Sequence, residues 1–343
     1  MAKIFNFPFF VEVERTMTLV KSNLFRYLVR KFVGAILTIF LIMTVSFLLI
    51  HAAPGDPVLY MVGSAPVSEE FIEMKRHELG LDRPLYVQYV DYMGRLFRLD
   101  FGYSYLQNTK VLDLILQRLP ATILLLGVAY AIYSIAGILL GVATSARPGS
   151  KRGNAMMAIA LLGYCMPGFW LGLMSLYIFG LTLGWFPISG MYTLGADLVG
   201  FAFVIDVLRH LILPASLLGF WVLALLFRIT SQSMQETLQE DFITTARAKG
   251  LNEKIILFKH ALKNSLRPIV TLLGVRAGMV LGGAVITETI FTWPGMGRLM
   301  YGATVSRDYP LLLGCFVFTS IGVIVANLLV DLVYAKIDPR VRY

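Results

Sequence analysis

The sequence is poor in charged residues. Only 15% of its 343 residues are Asp, Glu, Lys or Arg, whereas 57% are hydrophobic and the mean hydropathy is +0.72. A soluble globular chain carries roughly a quarter charged residues, so the composition excludes an ordinary water-soluble domain. It indicates instead a protein that crosses a membrane several times.

Cysteine is almost absent, and histidine is scarce. Cys165 and Cys315 are the two cysteines, and both fall in apolar stretches. We therefore expect buried small apolar residues, with no disulfide framework and no cysteine metal site. The four histidines lie far apart in the sequence, at His51, His77, His210 and His260. We accordingly predict no metal site.

Motifs for nucleotide binding and hydrolysis are also missing. The sequence contains no G-x-x-x-x-G-K-[ST] loop, and the dipeptide GK does not occur at all. It also contains no H-E-x-x-H and no G-x-S-x-G motif. These patterns hold phosphates, zinc or a nucleophilic serine, so we predict no catalytic residue, no cofactor bound by this chain and no enzyme activity of its own.

Long apolar stretches are what the sequence does contain. A spanning helix needs about 20 mostly apolar residues, and six windows meet this length: Phe32–His51, Leu119–Thr144, Met156–Phe179, Leu208–Arg228, Ile269–Ile290 and Leu311–Ala335. Each window is continuously apolar rather than alternating, which favours helices over barrel strands. The prediction is an all-α polytopic membrane protein with about six transmembrane helices. The first window is too long for a cleaved signal peptide.

The distribution of basic residues predicts the orientation. If the N-terminus is cytoplasmic, the short cytoplasmic segments carry 19 Lys and Arg residues, against 3 in the short external segments. The long segment 53–118 counts little, because long loops translocate largely regardless of charge. We predict a multi-pass membrane protein with both termini in the cytoplasm. The net charge of +9 then reflects topology and the anionic inner leaflet, with no nucleic-acid partner.

These features divide the chain into three parts. Residues 1–31 form a cytoplasmic N-terminal segment, 32–335 the transmembrane domain and 336–343 a cytoplasmic tail. Within the transmembrane domain, 53–118 form a small external helical cap and 231–268 a cytoplasmic hook. The alternative for 53–118 is a loop that lies on the membrane surface.

Two helices are predicted within the cap. Ser68 precedes two glutamates and is expected to cap a helix that runs to about Leu79, which Gly80 then ends. A second amphipathic helix is expected over 86–97. Its apolar residues recur at helical spacing: Tyr86, Tyr89, Val90, Met93 and Phe97.

Aromatic and charged residues near the predicted span ends suggest interface positions. Aromatic side chains prefer the membrane interface, which fits four residues of the external Pro/Gly-rich segments: Trp185, Phe186, Trp293 and Tyr301. Glu288 and Asp331 lie near span ends, where contact with water is expected. Arg276 is deeper. It lines an aqueous path, pairs with a carboxylate on a partner subunit, or extends to the headgroups.

Residues 241–270, DFITTARAKGLNEKIILFKHALKNSLRPIV, are charged but lie between apolar windows. We predict two helices joined at Gly250, which tolerates positive φ, with Asn252 capping the second. The expected apolar stripes are Met234, Leu238, Phe242 and Ala246, then Ile255, Phe258, Leu262, Leu266 and Ile269, beside a basic ridge of Lys259, Lys263 and Arg267. Such a hook either lies on anionic lipid or docks into a partner's groove.

The motifs TARAKG and HALKNSLRP resemble the cytoplasmic loop of permease subunits in binding-protein-dependent ABC importers. In that loop an alanine, three residues and a glycine dock on the ATPase subunit. The corresponding residues here are Ala246 and Gly250, and Thr244 and Thr245 stand where the general motif often has Glu-Ala.

The resemblance extends over almost the whole chain. Seven further motifs, in order, resemble the dipeptide/oligopeptide/nickel-type permease family: APGDP (53–57), LGLDRPLYVQY (79–89), DFGYSY (100–105), RLPAT (118–122), FTWPGMGRL (291–299), RDYPL (307–311) and DPRVRY (338–343). About the first 22 residues fall outside it. Either these residues are an N-terminal extension, or translation begins later, at Met17.

The resemblance implies a type I ABC importer permease of the prokaryotic cytoplasmic (inner) membrane. It would act as one half of a heterodimer with a second, homologous permease subunit. Two cytoplasmic ATP-binding subunits would use ATP and Mg, and an external substrate-binding protein would deliver di- or oligopeptides. The ATPase-coupling residues would be Ala246, Gly250, Arg247, Lys249, Leu251, Glu253 and His260. The 292–302 loop and the cap would face the binding protein.

Three points stay open at this stage. Tyr164, Trp170, Asn327 and Arg276 are candidates to line the translocation path, although packing roles would also account for Tyr164, Trp170 and Asn327. Members of the family also import nickel chelates and oligosaccharides. Peptides are therefore the default assignment for the substrate, and the residues of this sequence do not by themselves select among the three. The rival classes are a stand-alone secondary transporter or channel, which needs more ionisable groups at mid-depth, and an intramembrane enzyme.

Overall fold

The computed structural model describes residues 8–52, 58–59, 67–277 and 284–337. Side chains are described within these ranges except at 8–28, 50, 267, 271, 274–277 and 329–337. In this part of the chain the regular structure is helical, and the one β-type contact is an isolated bridge between Tyr103 and Lys110. The prediction of an all-α membrane protein is confirmed.

The helices are numbered along the chain. They are α1 Pro8–Ala52, α2 Glu69–Glu78, α3 Leu85–Phe97, α4 Val111–Ser145, α5 Lys151–Cys165, α6 Gly168–Ser175, α7 Phe201–Thr237, α8 Asp241–Ala248, α9 Glu253–Ile255, α10 Leu262–Ala277, α11 Val285–Ile290, α12 Met296–Val305 and α13 Tyr309–Ile337. Two π-helical segments extend this set: Leu176–Thr182 follows α6, and Ile256–Ala261 joins α9 to α10.

Four of the described helices are long and apolar enough to span a membrane. They are Val29–Leu49 within α1, α4, α7 and Tyr309–Leu328 within α13. A fifth span results if α5 and Gly168–Thr182 are taken together, although the chain bends by 105° between them. The predicted third window is therefore not one straight helix. Pro167 explains the break, since proline has no N–H to donate and forces Met166 into an extended conformation.

The first and fifth predicted windows differ from the structure in other ways. α1 begins at Pro8, well before the predicted start near residue 32. In the fifth window, Ile269–Ile290, α10 is described as far as Ala277, and Ala284 is not helical before α11 begins at Val285. Residues 278–283 of this window lie outside the described part of the chain.

The centre of the molecule is the extensive contact between α4 and α7. Glycines let the two backbones approach closely, as is common between membrane helices. A Cβ on Gly219 of α7 would lie 1.8 Å from the Tyr133 ring of α4, and one on Gly141 of α4 would lie 2.5 Å from Thr230. α5 packs against α7 in the same manner, with Gly163 beneath the ring of Phe220.

The two cap helices form as predicted. The Ser68 hydroxyl accepts a hydrogen bond from the Phe71 N–H at 3.3 Å, and Gly80 follows α2 with φ of +68°. The inward face of α3 differs from the predicted stripe, because Tyr86, Val90 and Phe97 are exposed. The residues that pack inward are Tyr89, Tyr92, Met93 and Leu96.

Candidate functional site

The predicted hook is a helical hairpin between α7 and α10. α8 ends at Ala248, and Gly250 turns the chain with φ of +74°. The Asn252 side chain then accepts a hydrogen bond from the Lys254 N–H at 2.9 Å and caps α9. The predicted turn and both of its terminal residues are therefore confirmed.

The underside of the hook is an apolar cluster that joins it to the spanning helices. Met234 of α7 and Val142 of α4 are buried here, together with residues of the hook. Ile243 and Ala246 enter from α8, and Ile256 and Ala261 enter from the π-helical segment. Because α4 and α7 both contribute to this cluster, the hook is packed directly against two spanning helices.

The predicted apolar stripes are only partly correct. In the first stripe Met234 and Ala246 are buried, but Phe242 is exposed. In the second stripe Ile269 is buried, whereas Ile255, Phe258 and Leu266 are exposed. The π-helical segment Ile256–Ala261 explains why the second stripe differs from the prediction. Its turns are wider than those of an α-helix, so a different set of residues faces inward.

A serine that the sequence reasoning missed ties the hook to α7. The Ser265 side chain of α10 is buried, and its hydroxyl lies 2.8 Å from the Thr237 hydroxyl at the end of α7. It also lies within hydrogen-bond distance of the carbonyl oxygens of Ser233 and Ala261. A serine on a helix face has no sequence signal for this role, because the partners lie on another helix.

The outer side of the hook presents apolar side chains among basic ones. We call the exposed residues Phe242, Leu251, Ile255 and Phe258 the hook surface. Lysines are exposed around it, at Lys249, Lys254, Lys259 and Lys263. An amphipathic helical surface of this kind fits a groove in another protein, with apolar anchors at helical spacing.

The predicted coupling residues occupy different positions in the hook. Arg247 and Glu253 form an ion pair across the Gly250 turn, with Nε 2.8 Å from Oε1, and both are exposed. His260 is half-buried in the π-helical segment. Ala246 is buried against the hook's own core, so its small side chain serves packing inside the hook. No heavy atom lies within 4 Å of a Cβ placed on Gly250.

The candidates for the translocation path are not brought together as one group. Tyr164 lines a cavity of about 250 Å³ between α4, α5, α7 and α10, where its ring lies 6.2 Å from that of Trp221. Trp170 is exposed beyond the bend after α5, and Asn327 is exposed on α13. The side chain of Arg276 lies outside the described part of the structure.

A buried junction joins α4 to the segment that follows α11. Glu288 is fully buried, and its carboxylate accepts hydrogen bonds from the Thr122 hydroxyl at 2.9 Å and the Arg298 N–H at 3.0 Å. The Trp293 indole is also buried and donates to the Ala121 carbonyl at 2.9 Å. The expectations of water contact for Glu288 and an interface position for Trp293 were therefore wrong, because tertiary contacts supply both with buried hydrogen-bond partners.

A second junction joins the segment before α4 to the start of α13. The buried Asp308 carboxylate accepts hydrogen bonds from the Ser104 hydroxyl and from the Tyr105 N–H, the latter at 3.1 Å. Burial and the neighbouring Asp308 carboxylate raise the pKa of the Tyr105 phenol to about 12. DFGYSY and RDYPL, separate in the sequence, thus meet in space, as do RLPAT and FTWPGMGRL. The 292–302 segment is largely the helix α12 rather than a loop.

Metal ligands do not cluster in the residues that the structure describes. In the described ranges, no group of three or more His, Cys, Asp or Glu side chains could hold a metal ion. Neither described cysteine forms a disulfide: Cys315 is buried as predicted, whereas Cys165 is exposed. The motifs APGDP (53–57) and DPRVRY (338–343), and the side chains of Arg267 and Asp331, lie outside the described residues.

Comparison with known proteins covers nearly the whole chain. Residues 134–343 match the family of binding-protein-dependent transport system inner membrane components, and residues 24–126 match the N-terminal region of such membrane components. The di/tripeptide transport system permease protein DppB of Pseudomonas aeruginosa is 39% identical over 320 residues, 89% of this chain and 95% of that protein. The oligopeptide transport system permease protein AppB of Bacillus subtilis is 38% identical over 321 residues, 92% of this chain and 99% of that protein.

A further relative agrees with these two. A putative peptide permease protein of Brucella ovis is 39% identical over 298 residues, which are 86% of this chain and 92% of that protein.

Proposed function

Because this chain belongs to the family of binding-protein-dependent transport system inner membrane components, as its motifs predicted, we propose that it forms half of the translocation path of an ATP-driven importer for di- and oligopeptides. The observation that carries the proposal is the hook: an exposed apolar surface on a hairpin whose buried side packs on α4 and α7. Such a hairpin can receive movement from outside the membrane and pass it to the spanning helices.

The hook is proposed to dock on a cytoplasmic ATP-binding subunit. Phe242, Leu251, Ile255 and Phe258 would enter a groove of that subunit, while Arg247, Lys249, Glu253 and His260 would make polar contacts at its rim. Gly250 would allow the partner close to the turn, since the space around it is open. Ala246 would act indirectly, by permitting α8 to pack tightly on its own core.

The remaining components of the proposed importer are those that the family resemblance implies. A second, homologous permease subunit would complete the path, and two cytoplasmic ATP-binding subunits would hydrolyse ATP with Mg. This chain itself would bind no cofactor, in keeping with its missing phosphate loop. An external substrate-binding protein would deliver the substrate to the side on which the cap lies. The termini and the hook would face the cytoplasm, as the basic residues predict.

The substrate assignment rests on the relatives. The names of the relatives in Pseudomonas aeruginosa and Bacillus subtilis state di/tripeptide and oligopeptide transport, so peptides are the substrates we propose. Nickel chelates or oligosaccharides carried by the same machinery are the alternative. Tyr164, Trp170, Asn327 and Arg276 remain proposed path residues, and Tyr164 is supported most directly because it lines the cavity between four helices.

Copurification and transport assays test this function. The tagged full-length chain would be extracted in mild detergent, and its partners identified by mass spectrometry. We expect a second permease and ATP-binding subunits, whose ATP hydrolysis in vesicles rises when binding protein and peptide are added. Stimulation by nickel chelate or oligosaccharide instead of peptide would transfer the assignment to the alternative substrates. A chain that purifies alone and still moves solute would instead indicate a secondary transporter.

A further inference from the structure

Helix α3 contacts the apolar stretch of α1, whereas a cap that stood outside the membrane would contact α1 only beyond that stretch. The Tyr89 hydroxyl of α3 lies 2.7 Å from the Thr44 hydroxyl of α1, and the Tyr89 and Tyr92 rings contact the Phe47 ring at centroid distances of 5.3 and 5.6 Å. Thr44 and Phe47 belong to the apolar stretch Val29–Leu49, which is long enough to span a membrane. In the sequence this apolar run continues to Ile50, before His51, so Thr44 precedes the end of the run by six residues, or about 9 Å along a helix.

The contacts of α3 therefore lie beside the apolar run of α1 rather than beyond its end. Helices that lie in a membrane interface bury their apolar face about 5–10 Å into the boundary between headgroups and acyl chains. The overlap of about 9 Å with the apolar run of α1 lies within this range. A helix that stood wholly in water would instead contact α1 only beyond Ile50.

One side of α3 carries large apolar residues without a covering element in the described structure. Tyr86, Val90 and Phe97 are 72%, 64% and 76% exposed. At 100° per residue these three positions fall within about 40° of one another on the helix. In water this arrangement would leave a row of apolar side chains unburied, which soluble surfaces rarely tolerate as a contiguous patch.

The opposite side of α3 is polar. Gln88, Asp91 and Arg95 line a cavity of about 960 Å³ between α3, the end of α1 and the start of α13. The Gln88 amide oxygen lies 3.1 Å from Nε2 of His51, one residue before α1 ends. Arg95 lies roughly opposite Tyr86, nine residues or about 180° away. α3 thus has three different sides: a polar side that lines the cavity, a side packed on α1 and an exposed apolar side.

We propose that α3 is an interfacial helix, which inserts Tyr86, Val90 and Phe97 into the lipid leaflet at the C-terminal end of α1. Tyrosine and other aromatic side chains are favoured at this depth, and the exposed Arg98 just after the helix is long enough to extend to the headgroups. The cap is then anchored in the membrane rather than held only by protein contacts. This inference does not depend on which solute the importer carries.

Spin-label accessibility at single cysteines tests the proposal. With exposed Cys165 replaced by serine and buried Cys315 retained, the variants Tyr86→Cys, Val90→Cys and Phe97→Cys would be labelled in the full chain. The labelled chain and its copurifying subunits would be reconstituted into vesicles of phosphatidylethanolamine and phosphatidylglycerol. Collision rates with oxygen, which concentrates in lipid, and with a water-soluble nickel complex would be measured at each position. Arg95→Cys on the same helix and Glu73→Cys on α2 are the matched controls.

We expect the ratio of oxygen to nickel collisions to be several-fold higher at positions 86, 90 and 97 than at 95 and 73. Equal access of the nickel complex to all five positions would place α3 in water and overturn the proposal. Labels at 86, 90 and 97 that are shielded from both reagents would also overturn it, because they would show a protein partner on this surface.

Discussion

The Thr122 hydroxyl of α4 donates a hydrogen bond to the Glu288 carboxylate at 2.9 Å, although 166 positions separate the two residues. The same hydroxyl oxygen accepts a hydrogen bond from the Met296 N–H at 2.7 Å at the start of α12. One small side chain thus satisfies a buried carboxylate and a helix N-terminus together. These hydrogen bonds hold α11, which carries Glu288, and the start of α12 against the spanning helix α4.

Removing the Thr122 hydroxyl is expected to destabilise the protein. Thr122→Val keeps the shape but leaves the Glu288 carboxylate and the Met296 N–H short of a partner, which costs about 1–3 kcal/mol. Thermal unfolding in detergent, followed by circular dichroism or intrinsic fluorescence, measures the loss. Thr304→Val is the control, since the Thr304 hydroxyl is exposed and bonds only within α12. An unchanged midpoint for Thr122→Val would show that this hydrogen bond contributes nothing.

Gly295 is expected to tolerate no side chain. A Cβ at this position would lie 2.4 Å from the buried Glu288 carboxylate, so Gly295→Ala must displace Glu288 from its hydrogen bonds. We expect a loss of at least about 2 kcal/mol, in the range of disrupted buried networks. Gly302→Ala in α12 is the matched control, because its Cβ meets no atom within 4 Å and alanine favours a helix by about 1 kcal/mol over glycine.

Gly250→Asp is expected to uncouple ATP hydrolysis from transport while the protein remains folded and inserted. The position has φ of +74° and open space within this chain, so a new carboxylate would chiefly obstruct a docked partner. Gly149→Asp is a close control, since Gly149 also has positive φ, at +78°, and open space in the turn after α4.

The comparison of the two aspartate variants separates strain from docking. Both would be reconstituted with the copurifying subunits, and peptide uptake and ATP hydrolysis compared. Equal losses in both variants would attribute the effect to backbone strain, and unimpaired uptake in Gly250→Asp would count against docking at the hook.

The hook surface is expected to decide whether the ATP-binding subunit stays attached. Phe258→Ser removes one exposed apolar anchor. An anchor at the centre of an interface contributes about 2 kcal/mol or more, so we expect recovery of the ATP-binding subunit to fall at least roughly tenfold. Phe201→Ser, at the opposite end of α7 and also exposed, should leave recovery unchanged. Quantitative mass spectrometry of the purified complexes gives both values, and equal recovery from the two variants would contradict the assignment of the docking surface.

The Arg247–Glu253 ion pair is expected to matter little for stability. Both side chains are about half exposed or more, and exposed pairs contribute about 0–1 kcal/mol because water screens them. Arg247→Ala should therefore leave the unfolding midpoint nearly unchanged while lowering peptide-stimulated ATP hydrolysis. A large drop in the midpoint would mean that the pair holds the hairpin together rather than contacting a partner.

Local features were readable from the sequence because their causes are local. Continuous apolar stretches mark spanning helices wherever they occur, since lipid admits only backbones that satisfy their own hydrogen bonds. The Ser68 and Asn252 caps and the Gly80 and Gly250 turns depend on neighbours within a few residues, and the structure confirms all four. Family membership was readable as well, because it rests on several short motifs in order.

Only the tertiary structure decided which side of each helix faces inward. The π-helical segment Ile256–Ala261 turned Ile255 and Phe258 outward. Packing into an apolar cluster shared with α1, α4, α12 and α13 selected Tyr92 and Leu96 of α3 as inward residues over Tyr86 and Phe97. Glu288 and Asp308 are buried because Thr122 and Ser104 lie beside them. The physical reason is common to these cases: a side chain's environment is set by residues far along the chain, which no local pattern encodes.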